Sequence, residues 1–490
     1  MKNSFNPSLK KTLFTGAIAA TMGLVVSMAQ QASKELLVDV SPEARLGLDQ
    51  AFAVDVQRDS IVRTRFVEWR PDALGLAGSE LILNAFSDRK VRVEIERVDV
   101  VAHALVYVGK AKGEPMSAVH IGQVDDTYYA QYTSPGKNSF RIRSAESVGY
   151  KGLYRVDEID SSKVKFECMN NDPALGDLAT ERSQSFALAR PSEEVQNPPL
   201  AMMSGGGQTH YLDLLVLYTD NTSYFFGSNA AAEAAIASGV SEMNGVLSNT
   251  QISPTDTYRI RLKGILHVNY SEQSISGGIV WAKLHCQCDG LEGTEAYGDS
   301  LGADHIQLWY HDYLQTAPQG GADWLTTSNG TTPNVMSKFS VIDSAIALGS
   351  SGRYAAMHEI GHSLGLHHKW QDENNNDPSN PMNDPRWELG AMGFDSPEDH
   401  PFIFPWPISF ADVGYGLANY TVPQFTNPAT TVQFQGQTYL MGRWGTTAAE
   451  RPANAAATLQ TTFPIVSGFS SCSVCPPKAT LPAPCSANCP

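Results

Sequence analysis

The N-terminal part of the chain carries the pattern of β-strands. Short apolar or alternating segments are separated by Gly, Asp, Ser and Lys residues, which favour turns. These segments lie at residues 81–83, 91–101, 104–108, 140–142 and 154–156. The pattern predicts a β-rich domain from about residue 34 to residue 189. Residues 190–210 have no periodicity and are rich in Pro and Gly, which indicates a linker.

Beyond the linker, strand and helix patterns alternate. A nearly continuous apolar run over residues 212–218 predicts a buried central strand. Four apolar residues then recur at the i, i+4, i+7 and i+11 spacing of one helix face: Ile236, Val240, Met243 and Leu247. Ser228 or Asn229 is the expected N-cap of this helix. Further strands are predicted over residues 258–263, where apolar and basic residues alternate, and over 305–309 and 339–342.

The composition fits two or three folded domains. Hydrophobic residues make up 42% of the 490 residues and charged residues 18%, which is enough apolar material for packed cores. There are 35 Lys and Arg residues against 51 Asp and Glu residues, which gives a formal net charge of −16. A negative balance repels phosphate backbones and anionic lipids. Nucleic acid is therefore not an expected partner.

Residues 357–370 contain the side chains that can carry chemistry, and they follow Ser350, Ser351 and Gly352, which can cap and start a helix. His358 and His362 are four positions apart, so on a helix both imidazoles leave one face and can bind a single Zn²⁺. Glu359 lies beside them and can accept a proton from water. Gly365 permits a sharp turn, after which His368 can return as a third ligand. Three protein ligands leave one position open, which is the arrangement of a catalytic zinc.

The sequence resembles the metzincin metallopeptidases at five residues, which are His358, Glu359, His362, Gly365 and His368. Within that clan it most resembles the reprolysin-like and peptidyl-Asp metallopeptidase group. The resemblance covers roughly residues 210–470 and includes segments at 212–218, 302–305, 339–341 and 424–428. It implies an α/β (α+β) catalytic domain, with a twisted mixed sheet and a zinc-binding helix, preceded by a β-rich propeptide domain. Substrate is expected to lie extended along an edge strand near residues 323–326.

Metzincins have a methionine-containing turn beneath the zinc, and two segments are candidates for it. Met392 lies in the segment 389–394. Val413 lies in the segment 410–416, which has the expected position in the chain but has valine where methionine is expected. We favour Met392. Tyr415 is interpreted as a packed aromatic residue rather than as a hydrogen-bond donor to the transition state.

Two further features each have two interpretations. Asp372, Asn374, Asn376 and Asp377 place oxygen atoms close together after the motif, which suits Ca²⁺. The alternative is a solvated acidic loop, because the glycine and closing glutamate of an EF-hand loop are missing.

Cys168 lies in the expected propeptide, where its thiolate could fill the open zinc position. A free or disulfide-bonded cysteine is favoured, because no switch motif surrounds it.

The N-terminal segment of the chain predicts export. Three lysines, an apolar stretch over residues 13–26 and small residues after it predict a signal peptide. No stable membrane insertion is expected after its removal. Disulfide bonds are expected outside the cell, with Cys286 and Cys288 as candidates. The predicted division is a signal peptide at 1–29, a β-rich propeptide and linker at 30–207, a metzincin-like zinc metallopeptidase domain at 208–468 and a Cys/Pro-rich tail at 469–490.

Together these patterns predict a secreted zinc-dependent endopeptidase that is made as a zymogen and cleaves proteins or peptides. Glu359 is the expected general base and Zn²⁺ the expected cofactor. The alternative is a secreted adhesion or host-binding protein on a metzincin scaffold, with little or no peptidase activity. The presence of Glu359 argues against that alternative, because a binding protein has no need for a general base beside a metal. The pattern predicts no particular oligomeric state.

Overall fold

The structure is a computed structural model, and the part of the chain that it describes forms two large sheets and one hairpin. The described residues are 34–52, 60–134, 137–164, 167–168, 207–250, 252–270, 272, 277–313, 319–322, 338–351, 354–364, 431–434, 437–440, 459–460, 463–464 and 466–467.

Ten strands in the N-terminal part form one sheet. They are β1 Lys34–Glu35, β2 Leu37–Asp39, β3 Ile61–Trp69, β4 Glu80–Phe86, β5 Arg89–Val101, β6 Ala104–Ala111, β7 Glu114–Val124, β8 Thr127–Thr133, β9 Ser139–Ala145 and β10 Tyr150–Ile159. The strand order is β1-β4-β5-β6-β7-β8-β9-β10-β3-β2. Neighbours are antiparallel except for β1 and β4. Leu36 joins β1 at one end of the order to β2 at the other, so the sheet closes on itself.

The inside of this closed sheet is an apolar core. In β5, Val91, Val93 and Ile95 are buried, while the charged residues between them are exposed. This period of two places every second side chain on the inner face of a strand. Other members of the core are Leu37, Val67, Leu81, Val119, Ile121, Tyr132, Phe140 and Val156. The β-rich N-terminal region that the sequence predicts is therefore present.

The second sheet contains six strands. They are β11 Glu167–Cys168, β12 Thr209–Tyr218, β13 Thr257–His267, β14 His305–Tyr310, β15 Gln319–Ala322 and β16 Phe339–Asp343, in the order β11-β15-β16-β14-β12-β13. β12, β13, β14 and β16 run parallel, whereas β15 is antiparallel to β16, so the sheet is mixed. The predicted central strand is confirmed, because β12 lies between β13 and β14 and is buried over residues 212–218.

Six α-helices of seven or more residues and a hairpin also belong to the described part of the chain. The helices are α1 Pro42–Ala51, α2 Asp220–Phe226, α3 Asn229–Thr250, α4 Gly277–Cys286, α5 Thr294–Leu301 and α6 Ala355–Ser363. The hairpin pairs β17 Thr431–Phe434 with β18 Gln437–Leu440. Among the described helices, none combines the length and the apolar character that a membrane crossing requires.

Helix α3 differs from the pattern predicted for it. Ser228 is its cap, as expected, since the Ser228 hydroxyl accepts a hydrogen bond from the amide of Ala231 at 3.2 Å. The four apolar residues of the predicted face are also buried. The opposite side, with Ala234 and Ser238, is buried as well. The predicted apolar face is therefore confirmed, and the structure adds a second buried side, which the N-terminal sheet covers.

Candidate active site

Helix α6 carries the His-Glu motif and begins later than the sequence suggests. The predicted start at residues 350–352 is wrong, because the Ser351 hydroxyl donates back to carbonyl groups of its own turn. The helix begins at Ala355 and has no side-chain cap. Instead, the amides of Ala355 and Ala356 donate to the carbonyl groups of residues 346 and 347, at 3.2 and 3.1 Å. Main-chain carbonyl groups thus accept the hydrogen bonds of the first helix amides, which a capping side chain would otherwise accept.

The first two predicted ligands face each other on this helix. The Nε2 atoms of His358 and His362 are 3.2 Å apart. Two nitrogen ligands at about 2.0–2.1 Å from a tetrahedral zinc lie about 3.3 Å apart, so the pair fits one zinc ion. Both imidazoles are buried, and so is Glu359 between them in sequence. Within the described residues, no third His, Cys, Asp or Glu side chain joins these histidines in a metal-binding group.

A buried glutamine ties α6 to the sheet. Gln307, in the central part of β14, is fully buried. Its amide nitrogen donates to the carbonyl of Ala356 at 2.9 Å and to the hydroxyl of Ser340 at 3.1 Å. Its amide oxygen accepts a hydrogen bond from the indole nitrogen of Trp309 at 2.9 Å. These hydrogen bonds therefore connect the first turn of α6 to strands β14 and β16.

Strand β15 passes directly over the motif glutamate. A Cβ atom on Gly320 would lie 2.5 Å from Oε1 of Glu359 and 2.6 Å from Cδ1 of Ile342, so a larger residue would have to displace the end of one of these side chains. Tyr310 fixes the start of the strand by donating from its hydroxyl to the carbonyl of Gln319 at 3.2 Å. Burial, reinforced by nearby carboxylates, raises the pKa of Tyr310 well above its ordinary value. The phenol therefore stays a donor at neutral pH.

The strand next to β15 comes from the N-terminal region. β11 pairs with β15 in parallel, with Glu167 opposite Gln319 and Cys168 opposite Gly320. The backbone of Cys168 therefore lies one strand away from the glycine that contacts Glu359. Among the described strands, β11 is the outermost on this side of the sheet. An extended peptide that added to β15 would need the same edge.

Several predicted features lie outside the described residues. They are the third ligand His368 with Gly365, the turn candidates Met392 and Val413 with Tyr415, the loop residues Asp372, Asn374, Asn376 and Asp377, and the segment 323–326. All of these stay predictions. Cys286 and Cys288, within the described part, are both disulfide-bonded.

Gln307 and Gly320 are functional candidates that sequence reasoning did not single out. The signal for Gly320 is the pair Gly320–Gly321, since adjacent glycines in a strand indicate a close approach of another group. Gln307 gives no such signal. Its role depends on contacts with residues 33 and 49 positions further along the chain.

The comparison with known families agrees with the motif. Residues 209–385 match the model of a family described as Metallo-peptidase family M12B Reprolysin-like. This segment contains β12 to α6 and the whole motif, so the resemblance to reprolysin-like metallopeptidases is confirmed there.

Comparisons with individual proteins add little. No curated protein matches the chain. One matching solved structure, described as "Structure of a chaperone-substrate complex", has a TM-score of 0.33 and 15% sequence identity over 53% of this chain and 35% of that chain. The chain thus spans about a third of the length of that structure's chain.

Proposed function

We propose that this chain is a secreted zinc-dependent endopeptidase, on the premise that its segment 209–385 is of the reprolysin-like M12B metallopeptidase type. The observation that carries the proposal is the arrangement on α6. Two buried imidazoles face each other at a spacing that suits one zinc ion. Glu359, which follows His358 in the sequence, is fully buried beneath strand β15.

The proposed chemistry is hydrolysis of a peptide bond. His358 and His362, with His368 as third ligand, would hold the metal. When bound, zinc supplies Lewis acidity, which polarises a carbonyl group and makes water more acidic. Glu359 accepts the proton of the attacking water and passes it to the leaving amine. Gly320 brings β15 close enough to keep bulk solvent away from this carboxylate.

The proposed substrate is an extended protein segment. β15 lies beside Glu359, so a peptide that pairs with the edge of β15 opposite β16 would place a carbonyl group near the motif. β11 lies along that edge, which supports synthesis as a zymogen. Within the described residues the two strands pair at two positions, which is a weak contact, so a cut in the linker between residues 190 and 207 would allow β11 to leave. Secretion through the signal peptide 1–29 belongs to the same proposal.

The alternative of a binding protein on this scaffold has no specific observation in its favour. A protein that only binds would gain nothing from a carboxylate buried beside two facing imidazoles, because burial of a charge is costly without a partner or a function.

The test is the variant Glu359→Gln, measured on the secreted, processed chain. We expect about one zinc per chain by elemental analysis, as in the wild type, and loss of peptide hydrolysis on the order of 10³-fold or more, because the proton acceptor is gone. The matched control is Glu292→Gln, which neutralises an exposed glutamate and should leave hydrolysis unchanged. Near wild-type turnover in Glu359→Gln would contradict the proposal.

A further inference from the structure

Helix α3 is buried on two opposite sides. A Cβ atom on Gly122 of β7 would meet the carbonyl oxygen of Ala234 and would lie 2.5 Å from Oγ of Ser238. Ser241 donates from its hydroxyl to Asp99 of β5 at 2.6 Å. The small residues Ala234, Ser238 and Ser241 recur at helical spacing. Each lies two positions before a large residue of the predicted apolar face, namely Ile236, Val240 and Met243. Two positions correspond to about 200° around a helix, which is the opposite side.

The other side of α3 faces the second sheet. Asn244 donates to the carbonyl of Ile260 in β13 at 2.9 Å and accepts from the amide of the same residue at 2.7 Å. Gly239 lies against the side chains of Leu348 and Trp309. The helix is therefore a shared layer between the closed N-terminal sheet and the second sheet.

The apolar core is continuous across this layer. Tyr129 of β8 packs edge-on against Phe226 of α2, with ring centroids 5.4 Å apart. One buried cluster includes Val106, Val108 and Tyr129 of the N-terminal sheet together with Leu214, Val216 and Ile360 of the catalytic region. Contacts between separable domains are more polar than this, whereas permanent interfaces resemble a domain core.

Helix α2 is held to the N-terminal sheet in the same way. The guanidinium of Arg143 in β9 donates to the carbonyl of Phe225 at 2.6 Å and lies 4.7 Å from the centroid of that ring. Gly227, which ends the helix with a φ of 107°, touches the backbone of Ser144 where any side chain would collide. The close backbone approach at Gly122 and at Gly227 fixes the position of the sheet on both helices.

A buried polar network extends from the N-terminal sheet to the approach of α6. Gln131 of β8 donates to Oε1 of Glu242 in α3 at 3.1 Å. The other carboxylate oxygen of Glu242 accepts from the amide of Gly349 at 3.0 Å. The side-chain oxygen of Gln131 accepts from the amide of Ser350 at 3.1 Å. Both amides belong to the turn Gly349–Ser351, which precedes α6.

We infer that the closed N-terminal sheet is a permanent partner of the catalytic region, which stays bound to α3 after the linker is cut and positions the turn before α6 through Gln131. The part that concerns catalysis rests on the proposed peptidase function. β11 differs from the rest of the N-terminal region, since in the described part of the chain it pairs with β15 at two positions, Glu167 with Gln319 and Cys168 with Gly320. Processing therefore frees the edge of β15 without removing the sheet.

The first test is a cut in the complete chain. A recognition site for a sequence-specific protease is placed between residues 190 and 206, and the cut protein is passed through a size-exclusion column in native buffer. We expect the two fragments to elute together and to separate only in denaturant. Elution of two separate, soluble and folded fragments would overturn the inference.

The second test concerns Gln131 as a positioning residue. In Gln131→Met the side chain keeps its shape but loses both hydrogen bonds, so we expect hydrogen exchange of the Gly349 and Ser350 amides to rise about tenfold. The amides of β12 should keep their protection, which separates a local effect from general destabilisation. The matched control is Gln123→Met in β7, because the hydrogen bonds of Gln123, to Tyr107 and Asp125, stay within the N-terminal sheet.

Kinetics complete this test. If Gln131 positions α6, Gln131→Met lowers kcat for a peptide substrate and leaves KM within about twofold, because the edge of β15 is untouched. Unchanged exchange at Gly349 and Ser350 would overturn the positioning role. A wild-type protein without peptidase activity would instead contradict the proposed function. The elution and exchange experiments would still decide the inference.

Discussion

At the scale of single residues, the closeness of β15 to the motif depends on one missing side chain. Gly320 lies between Ile342 on the neighbouring strand and the carboxylate of Glu359. A methyl group there would have to displace one or the other. Glu359 is fully buried, so its carboxylate cannot swing into solvent to make room. The position of the proposed general base is therefore linked to a glycine 39 residues earlier in the chain.

Replacing this glycine should impair activity more than folding. In Gly320→Ala we expect kcat/KM to fall roughly 10- to 100-fold, because a displacement of about 1 Å at a reacting group has effects of this size. Zinc content should not change. The matched control is Gly245→Ala in α3, where no atom lies within 4 Å of the added carbon. Steady-state kinetics of both variants check this, and equal activity of the two would contradict it.

The arrangement of site residues within helix α6 could be predicted from the sequence. The contacts that other strands make with this helix could not. The spacing of His358 and His362 fixes their relation as soon as the segment is helical, since a helix places residues four apart on one face. Gln307 and Gly320 act through neighbouring strands, so their roles depend on a register that the pattern does not contain. The cap of α6 was predicted wrongly for the same reason, because its partners are main-chain carbonyls.

At the scale of elements, α3 explains why a sound helix prediction was still incomplete. Hydrophobic periodicity finds the side with large apolar residues, whereas Ala234, Ser238 and Ser241 have the composition of a solvent-facing side. Small residues are also what a helix needs where a strand approaches its backbone closely. The strand β13, by contrast, follows its predicted alternation, with Tyr258, Ile260 and Leu262 buried and Arg261 exposed between them.

A large side chain on the small-residue side of α3 should separate the helix from β7. In Ser238→Leu we expect the free energy of unfolding to fall by about 2–3 kcal/mol, because added atoms have no space beside Gly122. The matched control is Ser248→Leu on an exposed position of the same helix, with an expected change within about 0.5 kcal/mol. Urea unfolding of both variants measures the difference, and similar midpoints would contradict the close packing.

At the scale of the whole molecule, the N-terminal sheet, α3 and the second sheet make three layers, and one buried apolar cluster has members in all three. Glu242 is the charged residue of α3 inside this core, and burial raises its pKa to about 8. The hydrogen bonds from Gly349 and Gln131 act in the opposite direction and do not cancel the effect of burial. In the folded protein the group therefore keeps its proton over a pH range in which the unfolded chain has lost it.

The free energy of unfolding should depend on pH because of the titration of Glu242. Because the folded state binds the extra proton, the contribution of Glu242 to the free energy of unfolding falls as pH rises from about 4.5 to about 8. Glu242→Gln imitates the protonated acid. We expect its stability relative to wild type to increase by a few kcal/mol (roughly 2–4) between about pH 5 and about pH 9. Denaturant unfolding at both pH values measures it, and parallel pH profiles would contradict the assignment.

The burial of α3 on both sides has a consequence for biosynthesis. Domains at the N-terminus fold first as a chain leaves the ribosome. The closed sheet of residues 34–159 is therefore available as a surface before the helix at residues 229–250 has been made. The helix can dock its small residues onto that surface at once, and the second sheet is then assembled on its other side. The order of the layers along the chain is thus also an order in which each can form on the one before.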